Sequence, residues 1–344
     1  MNTYKVKLFH PFVAPEAAFA VAEVLQSGYL AEGARVKEFE RLLEEYTGKQ
    51  NIVSLNSGTS ALELCYEFAG IKEGDEVITP VLTCTATNIP LVRRKANIVF
   101  ADTSDDLNIS VKDVARKIHD GTKAVVFVHF GGNNRGLEEI RGLCLKHGVI
   151  LIEDAAQAIG SETWGLGDHI AVSFQAIKTL TTGDGGAYLG VDHERARLLR
   201  WFGYDRDKKH THGDIDLTEA GYKYHMNDIA AAIGIANLRR LNEYITHKEM
   251  IAAIYLKVGL FTYPWLAGGF TNKYDELIHE AALRGFEFGQ HHYRNDKYTL
   301  FGGRRSLPKM DALERKYFFV PFHANVSKQD AKEIADLCLP YLIP

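Results

Sequence analysis

Apolar positions along this chain follow two rhythms. At three- and four-residue spacing, Phe19, Val21, Val24 and Leu25 mark one helical face, and Val36, Phe39, Leu42, Leu43 and Tyr46 mark another. Between them Ser27-Gly-Tyr-Leu-Ala-Glu-Gly33 reads as a loop bounded by glycine. The second rhythm is the short, unbroken apolar run. The first covers residues 51–55 and passes through Asn56-Ser-Gly-Thr-Ser60 into a helix with Leu62, Cys65, Tyr66 and Ala69 on its apolar side. Further runs at 76–79, 96–101, 124–129, 149–152, 170–174 and 187–191 bring the set to seven. Helical patterns lie between many of them, one capped by Ser110 and another spanning 137–147.

Strands without polar alternation are buried on both faces, which predicts an α/β class with a mostly parallel seven-stranded sheet under helices. In such sheets the functional groups gather at the carboxyl ends of the strands. At 344 residues the chain is too long for one core. After Trp201 it turns polar, Asn227 caps a long helix, and beyond it helices mix with short strands. The expected division is a large domain over 1–240 and a smaller α+β domain over 241–344.

Composition narrows the classes. Apolar content of 46% and charged content of 24% describe an ordinary globular chain. A net charge of −4 offers no basic footprint for nucleic acid. The first 16 residues lack a signal-peptide core, and no apolar run reaches membrane-spanning length, so a cytoplasmic protein with no membrane contact is expected. Cys65, Cys84, Cys144 and Cys338 are scattered and form no CxxC, which suggests neither a disulfide framework nor a metal site. In that setting the glycosylation patterns at Asn108 and Asn325 are accidental. His210 and His212 have no metal-like frame and read as part of a solvated loop.

Three features carry chemistry. Lys178 lies between two apolar strands, ahead of a turn rich in glycine (Gly183, Gly185, Gly186). A desolvated lysine is an amine nucleophile, although the same residue could snorkel from a loop. Gly58, Thr59 and Ser60 open a helix directly after a strand, which suits either one phosphate or an ordinary cap. Neither a P-loop nor a GxGxxG fingerprint is present. Asp154 ends a buried strand, where it can cap a helix or face a cationic ligand such as a pyridinium nitrogen, with Gln157 one turn further on. Each feature alone is ambiguous. Together a phosphate seat, a strand-end carboxylate and a sequestered lysine are what pyridoxal phosphate requires.

The chain resembles the DegT-type sugar aminotransferases of fold type I. The likeness rests on Ser27–Gly33, Asn56-Ser-Gly-Thr-Ser-Ala-Leu62, Gly74-Asp-Glu-Val-Ile-Thr-Pro80, Ile152-Glu-Asp-Ala-Ala-Gln157, Gly221-Tyr-Lys-Tyr-His-Met-Asn-Asp228 and Pro321-Phe-His323. It implies pyridoxal 5'-phosphate as cofactor, with Lys178 as the Schiff-base lysine and Asp154 beside the ring nitrogen. Gln157 lies against the cofactor, and Gly58, Thr59, Ser60 and Ser173 form the phosphate cup. It implies a nucleotide-linked keto sugar as acceptor and glutamate as donor. A homodimer is also implied, with residues 221–228 reaching the neighbour's site. Two positions depart from the pattern: Cys84 stands where an aromatic usually stacks on the ring, and His225 where Arg or Asn is expected. Tyr29, His292, Tyr293 and Arg294 are the expected substrate contacts. A dehydratase of the same fold carries His in place of the lysine, and a non-catalytic relative would have lost Lys178 or Asp154.

Overall fold

The computed structural model describes residues 4–161, 163–206, 208–209, 213 and 215–343. His210 and His212 lie outside the described residues. Seven strands form the main sheet, in the order β1-β7-β6-β5-β4-β2-β3. They are β1 (Val53–Leu55), β2 (Glu76–Pro80), β3 (Asn97–Ala101), β4 (Thr122–Val128), β5 (Ile150–Asp154), β6 (His169–Ser173) and β7 (Gly186–Gly190). All seven apolar runs of the sequence are therefore strands. The first is shorter than expected because Asn51 adopts a left-handed conformation at φ 60°, which a strand cannot start from.

Strands β3, β2, β4, β5 and β6 pair in parallel, and β7 is antiparallel to both β6 and β1. A parallel return needs a long crossover, normally a helix. The link between β6 and β7 has none, so the chain doubles back. That link holds Lys178.

Helices cover both faces. On one side α2 (Ala34–Thr47) and α8 (Asp228–Arg239) pack around Phe39, Phe174 and Ile235, and α1 (Ala17–Ser27) lies against α8. On the other, α3 (Gly58–Phe68) brings Leu64, Cys65 and Tyr66 against β6 and β7. Ser110 and Asn227 cap their helices as expected, accepting from the amides of Asp113 and Ala230. The face foreseen on α1 is not a core face, for Val24 is buried but Phe19 is 78% and Leu25 55% exposed.

Toward the C-terminus, β8 (Phe261–Thr262), β9 (Ala267–Phe270) and β10 (Tyr317–Val320) make an antiparallel sheet in the order β10-β9-β8. It shares a core with the end of α9 (Leu241–Tyr255) and with α12 (Lys328–Cys338). The start of the chain joins this unit: Val6 pairs with Gly285 and Glu287, and the Lys7 carbonyl accepts from His323. No described helix is long and apolar enough to cross a membrane.

Candidate active site

Nine of the site residues expected from the sequence line one cavity of about 530 Å³: Gly58, Thr59, Cys84, Asp154, Gln157, Ser173, Lys178, His292 and Tyr293. Most come from the carboxyl ends of strands or the loops that follow them. The floor is the start of α3. Ser57 caps that helix, its hydroxyl accepting from the Ser60 amide at 3.0 Å. The amides of Gly58 and Thr59 belong to the first turn, which has no internal acceptors for them. Packing here leaves no room for side chains. A Cβ on Gly58 would fall 2.7 Å from that of Ser173, and one on Gly186 would fall 2.3 Å from the Ser57 carbonyl oxygen. Three backbone segments thus meet around one point, with the Ser173 hydroxyl beside free amides at a helix N-terminus. That is an anion seat.

Asp154 ends β5 and is buried. One carboxylate oxygen accepts from the Thr87 hydroxyl at 2.7 Å, the other from the Ala156 amide at 3.2 Å. Thr87 is held in turn by the Thr83 hydroxyl at 2.9 Å. Burial raises the pKa of Asp154, and these donors with Lys178 only partly offset it. A cationic partner would relieve that cost.

Lys178 presents its amine to the same space. The residue keeps part of its surface open to the cavity, but protein crowds the amine. Desolvation lowers its pKa to about 8, against the opposing pull of Cys84 and Asp154. The amine therefore exists in both protonation states near neutral pH, as a group that must accept and return a proton requires. Gln157 is fixed behind it. Its side-chain oxygen accepts from the Gly131 amide at 2.6 Å, and its amide donates to the His292 ring at 3.1 Å. Burial holds His292 neutral, its pKa well below the ordinary value.

A buried lysine, a buried carboxylate and an anion seat around one cavity match a known family. Residues 13–260 fit the model of the DegT/DnrJ/EryC1/StrS aminotransferase family. The chain belongs to this family. Its aminotransferases work with pyridoxal 5'-phosphate. The chain is 30% identical to the dTDP-4-dehydro-2,3,6-trideoxy-D-glucose 4-aminotransferase of Saccharopolyspora spinosa, covering 96% of this chain and 95% of that one. It is 31% identical to the UDP-4-amino-4,6-dideoxy-N-acetyl-beta-L-altrosamine transaminase of Campylobacter jejuni, over 92% of both. Among solved structures, the sugar aminotransferase CalS13 of Micromonospora echinospora superposes with a TM-score of 0.90 at 28% identity, covering 97% of this chain and 99% of that one.

The cavity of this aminotransferase fits the cofactor chemically: amides and a hydroxyl for a phosphate, a carboxylate for a ring nitrogen, an amine for an aldehyde. Four of the foreseen residues lie elsewhere. Arg294 is turned away from the cavity, clamped by Asp296 at 2.6 and 2.8 Å and by Asp311. A fully buried guanidinium so paired has no donor to offer a substrate, and Arg294 instead pins the segment that carries His292. Ser60 spends its hydroxyl on Asn56 at 2.6 Å. Tyr29 lines a different and larger cleft of about 1220 Å³, where it contacts Arg206. That cleft is rich in arginine, but Arg35, Arg197 and Arg200 are all paired with glutamates, so it lacks the reactive character of the smaller cavity. His225 stacks on Trp201 at 3.8 Å. Sequence reading missed Thr87, His291, Tyr298 and Trp265. Of these only Thr87 had a local signal, as a hydroxyl in the helix that follows β2.

Proposed function

We propose that this aminotransferase moves the amino group of L-glutamate to the carbonyl of a keto-deoxy sugar carried on a nucleoside diphosphate. The observation that carries the reading is the convergence of Lys178, Asp154 and the start of α3 on one cavity. Bound there, pyridoxal phosphate supplies an electron sink for the carbon that loses its proton. The Gly58 and Thr59 amides with Ser57 and Ser173 would hold its phosphate, Asp154 its ring nitrogen, and Gln157 and Cys84 its flanks.

The rest is done by this chain's own residues. Lys178, with a pKa of about 8, takes a proton from the donor's carbon as free base and returns one to the sugar carbon as ammonium. Thr87 and Ala156 fix both carboxylate oxygens of Asp154, so its charge stays in one place. Buried Gln157 and His292 form a neutral polar wall. Tyr293 and Tyr298 stand exposed at the mouth, where a sugar nucleotide would enter.

The working unit in this reading is a homodimer with shared sites. Support comes from the exposed apolar side chains of Phe19 and Leu25 on α1 and of Val13 just before it, which need a cover. Tyr29 and His225, absent from the cavity of their own chain, would then serve the neighbour's site. Four free cysteines fit a reducing compartment such as the cytoplasm.

A 4-keto acceptor is the first to try, because the Saccharopolyspora relative is named for amination of a dTDP-4-dehydro sugar. The test is a panel of dTDP- and UDP-linked 4-keto-deoxy sugars with L-glutamate, scored for 2-oxoglutarate. Release with at least one sugar nucleotide is expected. Release with simple keto acids but with no sugar nucleotide overturns the reading.

A further inference from the structure

Trp265 lies in the turn between β8 and β9, far along the chain from Lys178, yet it touches that lysine twice. The Lys178 amine sits 3.9 Å from the centre of the indole ring. The indole N–H donates to the carbonyl of Ile177, the preceding residue, at 2.9 Å. One side chain therefore grips both the reacting atom and the peptide unit that leads to it.

The indole is itself held from several sides. Its own amide donates to the Gly131 carbonyl at 2.7 Å, Phe9 stacks on it at 5.4 Å, and His291 meets it edge-on at 5.3 Å. The Pro264 carbonyl just before it accepts from the amine of Lys248. Two glycines let the turn come this close: a Cβ on Gly131 would lie 2.9 Å from the Tyr263 ring, and one on Gly132 would lie 2.9 Å from Pro264. Trp265 is thus locked before any ligand enters.

We propose that Trp265 is the positioning residue for the Lys178 amine, docking it on the ring face between its two proton transfers. The proposal rests on the reading of Lys178 as the reacting amine. A lysine has four rotatable bonds and loses much freedom when fixed. A carboxylate dock would fix it, but would also hold the proton. A ring face attracts the ammonium through its quadrupole and offers no lone pair. It holds the side chain without competing for the proton. The other groups facing the amine are Asp154 and Cys84, which favour its charge, and His291 and His292, which are kept neutral by burial.

The test uses apoenzyme mixed with pyridoxal phosphate, following growth of the cofactor's visible absorption band between about pH 6 and pH 10, around the Lys178 midpoint. Trp265→Leu keeps an apolar wall but loses the ring and the N–H. It is expected to lower the midpoint by about half to one pH unit, because the ring no longer favours the ammonium, and to capture cofactor about tenfold more slowly on the high-pH plateau, where the Ile177 peptide unit has lost its hold. Trp265→Phe keeps one aromatic ring and loses the N–H with the second ring, so it should fall between Trp265→Leu and wild type. A purely structural role would slow capture in proportion to lost melting temperature and leave the midpoint in place. Wild-type rate and midpoint in Trp265→Leu overturn the proposal. Should that variant not fold, an unchanged rate and midpoint in Trp265→Phe overturn it instead. A band that survives Lys178→Ala removes the lysine assignment itself, and so separates the two failures.

Discussion

Two lysines of this protein pack against the same turn. Lys178 rests over Trp265, and Lys248 donates to Pro264 with its amine 4.4 Å from the Phe322 ring centre. Burial depresses both, to about 8 and about 7. By pKa alone Lys248 is the more perturbed amine. The difference lies in their surroundings. Lys178 shares its cavity with Asp154 and the amides of α3, whereas the Lys248 amine is held by a carbonyl and two rings at the edge of a separate cleft of about 380 Å³. A low pKa makes an amine available, but only neighbouring groups that can bind a reactant make it a catalyst.

The largest expected effect breaks this comparison outright. Lys178→Ala should abolish both the visible cofactor band and 2-oxoglutarate release, while Lys248→Met keeps the band. Loss of the band in the second variant but not in the first would reverse the two roles. Next in size, Asp154→Asn should leave the fold intact and lower kcat by about 10²–10⁴-fold, the range given by removing one side of a buried ion pair worth roughly 3–5 kcal/mol. Steady-state rates with saturating glutamate and acceptor measure this, and a loss under tenfold would detach Asp154 from the ring nitrogen.

The smallest effect concerns pH. Lys248 is depressed in the folded chain from an ordinary value of 10.5 to about 7. Between those values the unfolded chain binds more protons than the folded one, so stability rises with pH across that window. Below about pH 7 the full cost of burying the charge is present. Lys248→Met should therefore be most stabilised relative to wild type near pH 6, with the advantage shrinking toward pH 9. Melting curves of the two apoproteins at each pH test the sign, and a constant difference would show that Lys248 does not titrate in this range.

The sheet was legible because its strands are buried on both faces, which leaves unbroken apolar runs in the sequence. Lys178, Asp154 and the Gly58–Thr59 seat were legible because each sits at a boundary between elements, where polar residues interrupt those runs. Arg294 was misread for a physical reason. Next to His292 and Tyr293 it looks like a ligand contact, and only the folded chain reveals that Asp296 and Asp311 already consume its donors. Trp265 was invisible, since no spacing rule connects a hairpin turn to a lysine in the link between two strands of another sheet. Tyr29 and His225 lie outside the cavity, Tyr29 against Arg206 and His225 stacked on Trp201, contacts that no local spacing in the sequence marks.

The pairing of residues 5–8 with the C-terminal unit has a mechanical consequence. The chain passes between the two sheets twice, once near Pro11 and once along α9, whose first turns pack with the large sheet and whose last turns pack with the small one. One connector is a short extended segment and the other a continuous helix. Between the two crossings the units also share one core, in which Val81, Leu82, Phe100 and Phe130 pack with Trp265, Leu266, Tyr317 and Phe319. The mouth at Tyr293 is therefore fixed to the large sheet by two chain crossings and a continuous core, and Lys248, midway along α9, lies where the two cores meet.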